Sequence, residues 1–142
     1  MIIPDVNLLL YAHVDTFEQH ERARPWWEAL LGGAAEVGVP GPALFGFVRI
    51  STNPRIFDPP MSVDIALGHI ELWLAQPNVR CPAPGPRHLE IAFRLLRHLG
   101  TAANLTTDVQ LAAFAIEHQG EVHSNDGDFN RFPELRWRNP LE

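Results

Sequence analysis

The stretch Met1-Ile2-Ile3-Pro4-Asp5-Val6-Asn7-Leu8-Leu9-Leu10-Tyr11-Ala12-His13 decides the fold class. Met1 to Pro4 reads as a short buried strand that ends at Asp5. Pro4 has no amide hydrogen to give a ladder, so it is tolerable only near a strand end or edge. Asn7 to His13 then reads as helix, with Leu8, Leu9, Leu10 and Tyr11 apolar. A buried strand that passes through one acid directly into a helix is the opening unit of an α/β layer.

The same alternation continues outward. Phe17 to Leu31 predicts an amphipathic helix stopped by Gly32-Gly33. Val37 to Val39 is a second strand. Pro42 to Ser51 predicts a helix that is apolar nearly all round, which is the pattern of a buried one. Asn53 to Pro60 carries three prolines and is a loop. Ser62 caps a helix reaching Ala75, with Val63, Ala66, Leu67, Ile70 and Leu74 at helical spacing. A short strand at Val79 to Cys81, a loop at Pro82 to Pro86 and a helix at Arg87 to Leu99 closed by Gly100 follow. Thr106 to His118 is the best helix of the second half. Glu121 to Ser124 is strand-like, Phe129 to Phe132 is one helical turn, and Arg136 to Arg138 is a last short strand. Short strands separated by helices predict an α/β fold with a mainly parallel sheet, and one domain over residues 1–142.

Composition narrows the function. A chain of 142 residues with 46% hydrophobic content is globular and long enough for a core. Its opening lacks the basic region of a signal peptide, and no run approaches the roughly 20 apolar residues of a membrane span, so a cytoplasmic protein without a membrane partner is expected. The single cysteine, Cys81, cannot form an internal disulfide and is expected to be a buried or half-buried inert thiol. The net charge of −6 argues against binding nucleic acid by broad charge attraction, though not against an enzyme using bound metal and local arginines. No lysine occurs in the sequence, which excludes P-loop, Schiff-base and usual kinase chemistry. The seven histidines are scattered without zinc-site spacing and are expected to be surface or structural.

Open α/β sheets hold ligands beyond the carboxyl ends of their strands. Asp5 follows the first strand. Ser124, Asn125, Asp126 and Asp128 follow the strand at Glu121. Asp108 sits about one turn before Leu111 and Ala112 and shares their inward direction. Each acid also has a plainer role: Asp108 as a first-turn acid favoured by the helix dipole, Asp126-Gly127-Asp128 as a turn or cap, Asp5 as a cap. Together they point further. Carboxylates gathered at one rim repel each other, and a hard divalent cation such as Mg²⁺ or Mn²⁺ resolves the conflict and activates phosphate chemistry.

These residues resemble a known family. Asp5-Val6-Asn7, then Thr107-Asp108 with Leu111-Ala112-Ala113, then Ser124-Asn125-Asp126-Gly127-Asp128-Phe129 look like the three ordered motifs of the PIN domain. More closely, the chain resembles the VapC toxins of bacterial VapBC toxin–antitoxin pairs, from end to end. Phe47-Val48-Arg49, Ser51-Thr52-Asn53-Pro54-Arg55 and the ending Arg136-Trp137-Arg138-Asn139-Pro140 look like an actinobacterial, mycobacterial-type branch.

The resemblance implies a three-layer α/β/α PIN-like domain and a Mg²⁺-dependent endoribonuclease toxin, with Mn²⁺ able to substitute. Such an enzyme cleaves structured RNA, commonly tRNA or ribosomal RNA, and blocks translation. The resemblance also implies a cognate VapB-type antitoxin and usually a homodimer. Carried over by motif, Asp5, Asp108 and Asp126 are the catalytic metal ligands, Asp128 supports the metal directly or through water, and Asn7 and Ser124 orient the carboxylates. One departure stands out. PIN nucleases commonly carry a glutamate on the helix after the second strand, about where Gly46 falls; the nearest acids, Glu36 and Asp58, lie outside that helix. Either the metal is held by aspartates alone or its affinity is reduced, and the departure suggests an alternative, a non-catalytic PIN-like binding module. A third class, the aspartate-nucleophile phosphatase, shares a superficially similar opening, but the absence of lysine counts against it. Arg49, Arg55 and Arg131 are candidate contacts to RNA phosphate, since arginine suits bidentate phosphate binding. Trp26, Trp27 and Trp73 are candidates for an antitoxin or dimer surface, although core packing explains a tryptophan equally well.

Overall fold

Five short strands form one parallel sheet in the order β3-β2-β1-β4-β5. They are β1 (Ile2–Pro4), β2 (Val37–Gly38), β3 (Val79–Arg80), β4 (Glu121–His123) and β5 (Trp137–Arg138). The computed structural model describes residues 1–142. Six α-helices connect the strands: α1 (Val6–His13), α2 (His20–Leu30), α3 (Gly41–Ser51), α4 (Val63–Leu74), α5 (His88–Leu99) and α6 (Thr106–Glu117). Short 3₁₀ turns occupy Ala103–Leu105 and Gly127–Arg131. The chain moves from β1 outward to β2 and β3, then returns past β1 to β4. Right-handed crossovers therefore place helices on both faces, giving the α/β/α layering.

β1 lies at the centre, where Ile2 pairs with both Val37 and Glu121. The strand is apolar because both faces are covered, and Ile3, Val37 and Val122 are fully buried. Pro4 is the last residue of β1, opposite His123, and the ladder resumes with the Asp5 amide donating to the His123 carbonyl at 2.9 Å. Gly120 sets the approach of β4, since a Cβ there would lie 2.2 Å from the Met1 carbonyl oxygen.

Helix ends follow their local chemistry. The Ser62 hydroxyl accepts from the Ile65 amide at 3.1 Å and starts α4. Gly100 closes α5 at φ 74°, a conformation that favours glycine. α2 begins at His20 rather than Phe17, because the Phe17 ring leaves the helix to pack edge-on against Tyr11 and Phe57.

Three expectations are corrected. Cys81 is exposed rather than buried, since it follows β3 at the sheet's edge. The helix α3 is not buried all round: Phe45 is 75% exposed, because no element covers that side. Trp27 and Trp73 belong to the core at 2% and 1% exposure, with rings meeting edge-to-face at 5.4 Å, so neither offers a docking surface. Trp26 is half-buried and donates its indole N–H to His123 Nδ1 at 3.1 Å. No helix is long and apolar enough to cross a membrane.

Candidate metal centre

The strand order reverses at β1, so the carboxyl ends of β1 and β4 flank the crevice where α/β sheets bind ligands. Asp5 stands directly after β1 and Ser124 directly after β4. Asp5 occupies the cap position of α1, yet its side chain makes no capping hydrogen bond. The carboxylate turns instead to Ser124, whose hydroxyl donates to Asp5 Oδ2 at 2.7 Å. Ser124 Oγ in turn accepts from the Asp126 amide at 2.9 Å, and Asp126 Oδ1 accepts from the Asp128 amide at 2.9 Å. One relay thus orders Asp5, Ser124 and Asp126. The plainer role of Asp126 is also real, for one of its oxygens caps the Gly127–Arg131 turn.

Asp108 enters from the first turn of α6, above the core residues Leu111 and Ala112. Its carboxyl is pushed up to about 7, first by burial and then by the charges of Asp5, Asp126 and Asp128. Asp5 is pushed up to about 6, chiefly by burial. The Ser124 hydrogen bond and the amides of Val6 and Asn7 partly offset this, while the Asp126 charge adds to it. The four aspartates therefore share one field, although they come from opposite ends of the chain.

An all-carboxylate donor set suits a hard cation such as Mg²⁺ or Mn²⁺. Such a cation relieves the repulsion that raises Asp108. As the side chains stand, no group of three His, Cys, Asp or Glu residues closes into a ready coordination shell. The residues fit the group by chemistry and mutual field.

Other sequence candidates divide. Asn7 is exposed, and its side chain hydrogen-bonds none of the carboxylates, so the expected orienting role falls to Ser124 alone. Arg131 stands with its Nε 4.0 Å from Asp128 Oδ1, at the edge of the cluster. Arg49 is exposed and lines a shallow groove between α3 and α6 that also includes Thr107, the neighbour of Asp108. Arg55 is not brought to the rim. It precedes Ile56 to Pro60, which line a concavity of about 860 Å³ at the far end of α1. That end lies about 12 Å from Asp5, because α1 has eight residues.

The far concavity is a sizeable space, but its chemistry is weaker. His13, its central polar group, is already satisfied: Nδ1 meets the Leu9 carbonyl at 2.7 Å, and Nε2 accepts from Trp73 Nε1 at 3.2 Å. Burial pushes His13 down to about 4, which keeps it neutral. The candidate site is therefore the carboxylate rim. Gly46 explains the missing acid. A Cβ there would lie 3.0 Å from Val6 Cγ2, so α3 approaches α1 closely beside Asp5.

The sequence profile of the PIN domain matches residues 2–135. The chain is a PIN-domain protein of the VapC type. It is 52% identical over 141 residues to "Ribonuclease VapC33" of Mycobacterium tuberculosis, covering 99% of each chain. It is 40% identical over 140 residues to "Ribonuclease VapC37" of the same organism, covering 99% of this chain and 97% of the relative. The fold of this PIN-domain protein is similar to VapBC2 of Rickettsia felis, solved bound to promoter DNA, with a TM-score of 0.70 and 16% identity over 98% of each chain. It is also similar to M. tuberculosis VapC20, described as a Sarcin-Ricin loop cleaving toxin. There the TM-score is 0.69 and the identity 20%, over 96% of this chain and 99% of that one.

Proposed function

We propose that this PIN-domain protein is a Mg²⁺-dependent endoribonuclease, the toxin of a type II toxin–antitoxin pair, which cleaves structured RNA such as tRNA or ribosomal RNA and so inhibits translation. The observation that carries the reading is the convergence of Asp5, Asp108, Asp126 and Asp128 on one field, ordered through Ser124. The ribonuclease names of its mycobacterial relatives support it. A VapB-type antitoxin partner and a homodimer belong to the same proposal, and solved VapBC assemblies of the same fold support the former.

Asp5, Asp108, Asp126 and Asp128 would hold the cation. A cation held there would supply Lewis-acid activation of phosphate and of water. The chain's own residues prepare that site. Burial and mutual repulsion keep Asp5 and Asp108 protonated more readily than ordinary carboxylates, so both release protons when a cation is present. Ser124 fixes the Asp5 carboxylate, and the Asp128 amide fixes Asp126.

The test is cleavage of total bacterial RNA with Mg²⁺, with EDTA, and by Asp5→Ala, followed by mapping of the new 5′ ends. Activity that needs the cation and Asp5 is expected; cleavage surviving both treatments overturns the proposal. The absence of an acid at Gly46 suggests one second reading, a non-catalytic binding module. Calorimetric titration with Mn²⁺ separates the two, because a folded protein that binds no Mn²⁺ is the module.

A further inference from the structure

We propose that Phe45 and Arg49 form a nucleotide-recognition subsite beside the carboxylate rim, in which Phe45 stacks on an unpaired base and Arg49 holds a neighbouring phosphate. This rests on the ribonuclease reading above and specifies how the substrate is held. Phe45 and Arg49 stand one helical turn apart on α3 and share a face. With Gly41, Pro42, Gly46, Val48, Thr107 and Gln110 they line a groove of about 740 Å³ between α3 and α6. No rim carboxylate lines the groove itself, but each wall ends on a residue that adjoins one. Thr107 precedes Asp108, and Gly46 packs on Val6, the neighbour of Asp5.

Exposure and charge select the occupant. Phe45 is 75% exposed, the most exposed large apolar side chain of the molecule. An aromatic ring in that position offers a π-face that any base can stack upon. Arg49 makes no hydrogen bond or ion pair. Six other arginines face carboxylates, and Arg22 and Arg136 donate to carbonyls, leaving only the side chains of Arg49, Arg55 and Arg97 without a partner. Of these three, Arg49 alone lines the groove at the rim. In an acidic protein, one uncommitted guanidinium beside a carboxylate cluster supplies a local anchor for phosphate. A second copy of the chain is a poorer occupant. Phe45 is the sole large apolar residue exposed on α3, and the apolar Leu89 and Phe93 exposed on α5 lie outside the groove, whereas a stable interface buries roughly 800 Å² per partner.

The experiment uses a fluorescein-labelled 12-nucleotide single-stranded RNA of mixed sequence, and the same sequence as a duplex, titrated by anisotropy in EDTA so that binding is read without cleavage. Phe45→Ala is expected to weaken single-strand binding about 5- to 100-fold and leave duplex binding unchanged. Phe45→Trp restores it, Phe45→Leu does not, and Arg49→Ala weakens both forms. Melting temperatures are expected to stay level, because Phe45 is exposed. Sedimentation of Phe45→Ala against the native chain distinguishes the alternative occupant. The subsite is overturned if Phe45→Leu binds as tightly as Phe45→Trp, if Phe45→Ala binds like the native chain, or if Phe45→Ala shifts the protein to a smaller species. Cleavage with Mg²⁺ by the native chain and by Asp5→Ala is run in parallel. Unchanged binding by Phe45→Ala, with native cleavage that needs Mg²⁺ and Asp5, sinks this proposal alone, whereas cleavage that ignores EDTA and Asp5→Ala sinks the nuclease reading.

Discussion

The hydroxyl of Ser124 donates to Oδ2 of Asp5 at 2.7 Å, joining two residues 119 positions apart. Both are buried, at 0% and 5% exposure, and the bond opposes the burial that raises the Asp5 carboxyl to about 6. It ties the two motifs into one hydrogen-bonded unit.

Ser124→Ala removes that bond while leaving the core volume nearly unchanged. Mn²⁺ affinity is expected to fall about 10- to 100-fold, the usual effect of losing a group that orients a metal-binding carboxylate. Asp5 is expected to titrate higher than in the native chain. Calorimetry and carboxyl ¹³C NMR read the two effects, and an unchanged Mn²⁺ Kd removes Ser124 from the site.

Asp108→Asn is expected to stabilise the cation-free protein at neutral pH. Folding raises the Asp108 carboxyl to about 7, so the folded state binds its proton more tightly than the unfolded state does. Stability from this group is therefore intact near pH 4 and is lost as pH rises through 7. Melts in EDTA should show the variant gaining a few degrees at pH 8, with the gain vanishing toward pH 4. A gain independent of pH contradicts the shift.

Cation binding inverts that dependence. Mn²⁺ displaces protons from Asp5 and Asp108, so its affinity is expected to rise from pH 5 and level off above the carboxyl at about 7. Titrations in two buffers of different ionisation enthalpy count the released protons. A flat affinity between pH 5 and 8 contradicts the raised carboxyls of Asp5 and Asp108.

Gly46 and Val6 are expected to couple. Gly46→Ala offers about 0.5–1 kcal/mol of helix stabilisation, but its Cβ meets Val6 Cγ2 at 3.0 Å. In a Val6→Ala background the clash is gone and the full gain should appear. A double-mutant cycle by urea unfolding measures the difference, and strict additivity shows that Val6 yields freely.

Much of the fold was legible because its signals are local. The apolar run before Asp5 reads as a strand, Ser62 as a cap and Gly100 as a stop, and each depends on residues within one turn. The positions of Asp5, Ser124 and Asp126 at or just after strand ends were legible for a related reason, whereas Asp108 was placed by its position in the first turn of α6. Asn7 and Arg55 were misplaced because adjacency in a motif does not fix the direction of a side chain. Phe45 was misread as core because helical periodicity shows which residues are apolar but not which neighbours are missing. Trp27 and Trp73 carried no signal that separates a core ring from a docking ring.

The sequence by itself determined the layer class, the alternation of elements, the absence of lysine-based chemistry and the ordered acids, all set by composition and short-range pattern. Only the tertiary structure decided that Ser124 rather than Asn7 holds Asp5. Packing also decided that Asp108 feels three other carboxylates, that Gly46 is the contact point of α1 and α3, and that Phe45 and Arg49 stand free beside the rim. Those facts depend on how elements far apart in sequence approach one another, and the sheet order, not any single stretch of chain, sets that approach.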